Sequence, residues 1–231
     1  MRVRVATTVL GITAALLAVP ACSTDTTGAK HATAASARTG SPADTAQQAA
    51  PLTSAALKTR LLDQNDLGSG YLRKPERLTH HDDVTVIGCP ALSELGSDTA
   101  TGATLTFPRK AKTAFTYGGS SSEISEELYS DGANKLSKSI GRIFDAMTGC
   151  PTYQVVAGGT PIDIASQKLP APHGLGDEQW SQLLTFSAGG RSTVVKQTAI
   201  RDGSLLLIVS GSPALVDRHL DKALTKATAA S

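Results

Sequence analysis

Residues 193–210 read Thr193-Val-Val-Lys-Gln-Thr-Ala-Ile-Arg-Asp-Gly-Ser-Leu-Leu-Leu-Ile-Val-Ser210. Two strand-like runs, Thr193 to Ile200 and Ser204 to Ser210, meet at Arg201-Asp202-Gly203. Asp-Gly between such runs is a strong hairpin signal, because the turn needs positive φ and glycine supplies it without a steric cost. The hairpin makes this part of the sheet antiparallel. Upstream, Trp180, Gln182, Leu184 and Phe186 alternate along another strand. Shorter alternating runs follow the same rule at Ala103-Leu105-Phe107, Phe115-Tyr117, Ile124 with Leu128, Tyr153-Val155 and Ile162-Ile164. Downstream, Ser212-Pro213 reads as a cap plus first-turn proline, opening a helix through Val216, Leu220, Ala223, Leu224 and Ala227, with Lys222 and Lys226 near its negative end.

Two more helices complete the pattern. From Asp131 to Gly149 the positions Ala133, Leu136, Ile140, Ile143, Phe144 and Met147 form a 3.6-residue stripe, with Ser130 or Asp131 expected as its cap and Gly149 and Pro151 as its stop. Leu52-Thr53-Ser54 opens a shorter helix that places Leu57, Leu61 and Leu62 on one side. Strands clustered between helices and joined by hairpins predict an α+β domain over residues 52–231, a twisted antiparallel sheet of six or seven strands with two or three helices.

The N-terminus has a different character. Arg2 and Arg4 precede an uncharged run from Val5 to Val19, the layout of a secretory signal peptide over residues 1–21, and the run is too short for a membrane span. Ala21-Cys22 at its end resembles a bacterial lipobox, which implies a lipid on Cys22 and attachment to the outer face of the membrane. Pro20 departs from that pattern, and secretion with a free Cys22 is the alternative. Residues 23–51 contain no Val, Leu, Ile or aromatic and cannot bury a core, so residues 22–51 read as a tether, with a reach of roughly 30 Å.

Export makes the remaining cysteines informative. With Cys22 lipidated, Cys89 and Cys150 form an even remainder, which an oxidising compartment pairs by default. Two buried thiols or a metal pair are the alternatives; the chain holds no Cys-x-x-Cys. Composition excludes other classes. The chain has 22 Lys+Arg against 20 Asp+Glu, and without Arg2 and Arg4 the formal balance is zero, so nothing favours a nucleic-acid partner. With four Tyr, four Phe and one Trp, aromatic platforms are scarce.

Catalytic signatures are absent from the sequence: there is no Gly-x-Ser-x-Gly elbow and no Ser-x-x-Lys, and no cofactor is called for. Gly118 to Ser122 reads as a turn between strands, and His80-His81-Asp82-Asp83 as a polar loop. The segment His173-Gly174-Leu175-Gly176-Asp177-Glu178 puts an imidazole near two carboxylates, ahead of the strand holding Trp180. His173, Asp177 and Trp180 are therefore the candidate ligand-binding residues, with Trp180 either core or cleft wall.

The order of motifs resembles a known family. Leu62-x-x-x-Asp-Leu-Gly-x-Gly-Tyr71, Cys89-Pro90, strands, a long helix ending in Cys150-Pro-x-Tyr153, Gly174-Leu-Gly-Asp-Glu178, a hairpin and a final helix are similar to the extracellular sensor domain of PknH-type receptor serine/threonine kinases and its free-standing actinobacterial lipoprotein relatives. The resemblance implies a twisted antiparallel sheet with helices around a cleft. It also implies non-catalytic ligand sensing or binding outside the cytoplasm, but not what the cleft binds, because no residue here matches a defined ligand motif; a monomer with a small molecule, a lipid or an envelope protein as its partner is expected. Kinase members carry two disulfides, whereas only Cys89 and Cys150 remain here to pair. The other functional classes are an envelope hydrolase assembled from His173, Asp177 and a serine, and an assembly or chaperone-like partner.

Overall fold

The computed structural model describes residues 50–75, 84–96, 107–119 and 121–229. Its centre is the expected hairpin. Arg191–Asp202 (β8) and Leu205–Gly211 (β9) pair antiparallel, with Asp202 opposite Leu205 and Gly203 in the turn at φ 54°. Seven further strands extend the sheet: β1 Tyr71–Arg73, β2 Val84–Ile87, β3 Lys110–Tyr117, β4 Glu123–Ser130, β5 Thr152–Ala157, β6 Thr160–Lys168 and β7 Glu178–Ala188. The order is β1-β3-β4-β9-β8-β7-β6-β5-β2, and every pairing is antiparallel.

The sheet thus has nine strands rather than six or seven. The two additions, β1 and β2, are the edges. Each is only three or four residues long and pairs on one side alone, so neither carries a long alternating pattern. The expected strand at Ala103 to Phe107 lies almost wholly outside the described residues; Phe107 itself is buried ahead of β3.

Helices cover both faces. Ser54–Arg60 (α1) is capped by Thr53, whose side chain accepts from the Ala56 N–H. The four-residue turn Gln64–Leu67 (α2) begins with a capping box between Asp63 and Asp66. Pro90–Leu95 (α3), which the sequence pattern does not single out, starts on Cys89 with proline in its first turn. Ala133–Gly149 (α4) and Pro213–Thr228 (α5) are the two long helices. The cap of α4 is Gly132, not Ser130 or Asp131. Asp131 instead accepts from the Gly132 N–H and pairs with Lys135, while the Ser130 hydroxyl is spent on the Ser204 carbonyl.

Strand alternation sorts the core. Leu205, Leu207 and Val209 of β9 join Ile124 and Leu128 of β4 beneath α1 and α5, with Leu57, Val216 and Leu220. The opposite face gives Leu206, Ile208 and Tyr129 to Leu136, Ile140 and Phe144 of α4. Beside them Val155, Ile164 and Leu184 meet Met147, Leu92 and Cys89. Cys89 and Cys150 form a disulfide that ties the start of α3 to the end of α4. Residues 46–231 are one compact unit, and no helix among the described residues is long and apolar enough to cross a membrane.

Candidate binding site

Alternation along β7 puts Trp180, Gln182, Leu184 and Phe186 on the face that α4 covers. Below the middle of this face Gln182 is buried, and its amide donates to Gln197 on β8 at 2.8 Å and to the Met147 sulfur at 3.3 Å. Nearer the start of β7, Trp180 leans on Phe144 with ring centroids 6.4 Å apart. Gly141 of α4 faces the indole, and a Cβ there would sit 4.0 Å from Trp180 Nε1, an ordinary contact.

Beside the indole is a cleft of about 320 Å³. One wall is the last turns of α4, with Phe144, Asp145 and Thr148; the other is Lys168 to Ala171, the segment leaving β6. Gln179, Trp180 and Ser181 form its floor. The Leu169 N–H donates to the Ser181 carbonyl at 2.9 Å, which fixes the departing segment against β7. Apolar groups line the interior, and Asp145 and Lys168 stand exposed at the rim. A concave apolar site with a few charged groups is the common form of a small-molecule site.

The three residues marked by the sequence have separate places. Trp180 lines the cleft. Asp177 stands 2.8 Å from Arg201 Nη1 and accepts from the Gly203 N–H at 2.9 Å, while its own N–H donates to the Arg201 carbonyl at 2.7 Å. Glu178 takes Arg201 Nε at 2.7 Å and the Ser137 hydroxyl at 3.0 Å. These partners hold both carboxyls below their usual range: for Asp177 the Gly203 N–H is the largest cause, and for Glu178 the guanidinium. The pair pins the loop before β7 onto the β8-β9 turn. His173 is exposed in that loop and does not line the cleft. His80 to Asp83 lie outside the described residues, and Gly118 and Gly119 form the turn between β3 and β4 as read from the sequence.

Two buried polar groups have no mark in the sequence pattern. His219 of α5 is 6% exposed, and its Nε2 is 2.6 Å from the Tyr71 hydroxyl, with the rings edge to face. Burial, then Arg218 and Lys222, lower its pKa and favour the neutral ring, whose tautomer sets which of the two groups donates. Glu126 points from β4 into the core beneath α1 and accepts from the Leu62 N–H. Both serve the packing of α1, α5 and β1 rather than the cleft. A second concavity, about 380 Å³ over β5 to β7, is lined by Thr152, Tyr153, Asp163, Ile164, Ala165, Thr185 and Ser187, and Asp163 is already held by the Gln154 amide at 2.9 Å. It is the more open of the two concavities. Among the described residues no group of three or more His, Cys, Asp or Glu is placed to hold a metal ion.

The fold of this chain has a counterpart among solved structures. The extracellular domain of PknH from Mycobacterium tuberculosis matches 77% of this chain and 97% of its own, with a TM-score of 0.58 at 13% sequence identity. This chain has the PknH sensor-domain fold. An uncharacterised protein of Mycobacterium smegmatis, the Rv0999 ortholog, matches over 76% of this chain and 95% of its own at 12% identity with a TM-score of 0.38. No family model matches the sequence, and no curated protein matches it.

Proposed function

We propose that the protein is an exported, non-catalytic ligand-sensing or ligand-binding domain, held at the outer face of the cell membrane by a lipid on Cys22 and binding in the cleft beside Trp180. The cleft carries this reading: an apolar interior between α4 and the β6-β7 segment, with two rim charges, Asp145 and Lys168, that form no ion pair among the described residues. The PknH-like fold agrees with it, since that counterpart is an extracellular domain. The signal sequence and the coreless stretch at residues 23–51 supply export and reach. Asp177 and Glu178 are engaged by the Arg201 clamp, and among the described residues neither is paired with His173, which has no hydrogen-bond partner there.

Two measurements test the two halves. Mass spectrometry of the membrane fraction is expected to find diacylglyceryl on Cys22, and an unmodified thiol there would refute the anchor. A thermal-shift screen of the exported protein against envelope lipids, cell-wall fragments and small metabolites is expected to yield a ligand that raises the melting temperature, since a ligand at 100 times its Kd adds about 2.7 kcal/mol. A stabilising ligand that binds Trp180→Phe and the unaltered protein identically, and leaves the tryptophan emission unmoved, refutes the location.

A further inference from the structure

Resting on the cleft as the binding site, we propose that its ligand is a small zwitterion with an apolar body, of the free amino acid or short peptide class. The volume of about 320 Å³ is at the lower end of small-molecule sites. Phe144, Trp180, Leu169 and Pro170 supply an apolar interior suited to a side chain.

The polar groups decide the class. Asp145 and Lys168 bracket the opening from α4 and from the end of β6, and among the described residues neither forms an ion pair with the other or with any third group. Nearby charges differ: Asp177, Glu178 and Arg201 satisfy one another. A carboxylate and an ammonium lining one cleft without pairing match a ligand bearing both an amine and a carboxylate; a singly charged ligand would leave one of them unanswered. Most of the uncharged groups are already engaged: Thr148 donates to the Phe144 carbonyl at 2.7 Å, the Gln179 amide donates to the Leu175 carbonyl, and the Ser181 hydroxyl pairs with that of Thr198 at 3.1 Å. Few free donors remain for a polyhydroxylated sugar.

Trp180 is the chain's sole tryptophan, so its emission reports on this cleft alone. The full-length exported protein is titrated with uncapped L- and D-dipeptides of Leu, Ala and Lys, with their N-acetyl and C-amide derivatives, and with diacetylchitobiose. The expected result is a saturable emission change with at least one uncapped dipeptide, weakened tenfold or more by either cap. Lys168→Gln is expected to abolish the penalty for the amide, and Asp145→Asn the penalty for the acetyl group. Capped and uncapped peptides binding alike, a response to chitobiose alone, or no response to any uncapped dipeptide each overturn the zwitterion class. The first two of these results leave the cleft standing as a binding site. The cleft itself falls only if a ligand from the thermal-shift screen stabilises the protein without moving the Trp180 emission.

Discussion

The Leu62 backbone N–H donates to the Glu126 carboxylate at 2.6 Å, joining the residue just after α1 to the centre of β4. Glu126 is 1% exposed, and its other oxygen has no partner among the described residues. Burial pushes the carboxyl up to about 8, against the opposing pull of the Leu62 N–H and of Lys226.

A carboxyl raised in the folded state keeps its proton where the unfolded chain has lost it. Its contribution to stability is complete below the ordinary value near 4.5 and is lost as pH rises through about 8. His219 acts in the opposite sense. Its lowered pKa makes the unfolded chain the better proton acceptor, so stability is lost as pH falls below about 6.5. The melting temperature of the unaltered protein is therefore expected to fall between pH 7 and 8.5. Glu126→Gln keeps an acceptor for Leu62 and is expected to flatten that decline and raise the melting temperature at pH 8.5. An unaltered protein with a flat profile over this range contradicts the assignment.

Arg201 is 12% exposed and divides its guanidinium between Asp177 and Glu178. Arg201→Met leaves two carboxylates beside the β8-β9 turn without their cation and is expected to cost about 1–3 kcal/mol in urea denaturation. Arg201→Lys is expected to recover only part of this, because a single ammonium cannot reproduce the two-pronged contact. Full recovery by lysine would show that charge alone matters.

Two glycines are expected to respond with opposite signs. Gly141 lies inside α4, and a Cβ there meets only Trp180 Nε1 at 4.0 Å, an ordinary contact. Gly141→Ala is expected to stabilise by about 0.5–1 kcal/mol through helix propensity. Gly176 has φ +64°, and a Cβ there would lie 2.6 Å from the Arg201 carbonyl oxygen. Gly176→Ala is expected to destabilise by more than 1 kcal/mol, since both the conformation and the space are wrong for a side chain. Chemical denaturation of the two variants checks both signs.

The Cys89–Cys150 bridge closes a loop across 61 positions. Replacing both cysteines by serine is expected to remove up to about 4 kcal/mol, mainly by freeing the unfolded chain. Denaturation with and without reductant separates this from lost packing, because the unaltered protein shifts on reduction and the double variant does not.

Much of the fold is legible where one local pattern suffices. Asp202-Gly203 declares the central hairpin, and the stripe from Leu136 to Met147 declares α4. The edges β1 and β2 escape because Tyr71–Arg73 and Val84–Ile87 are too short for alternation to stand out, and they exist through pairing with β3 and β5. The cap of α4 is misread because Asp131 finds Lys135 and the Gly132 N–H instead. At the site, alternation along β7 marks Trp180 as core or wall. Asp145 and Lys168 carry no signal, since each reads as a surface charge on its own element and only the crossing of α4 over β6 and β7 sets them at one opening. Asp177 is visible as a polar residue in a glycine-rich turn, but its partner Arg201 stands on the neighbouring strand β8, opposite Glu178, and only the strand register brings the two together.

The most direct measurement is an NMR titration of the ¹⁵N-labelled protein with the best ligand from the thermal-shift screen, following the single indole N–H of Trp180 and the backbone amides. Saturable shifts are expected at the Trp180 indole and at the amides of Asp145, Thr148, Lys168, Leu169 and Ala171, with the amides of Asp163, Thr185 and Ser187 unmoved. Shifts concentrated at Asp163, Thr185 and Ser187, with the indole unmoved, would contradict this expectation.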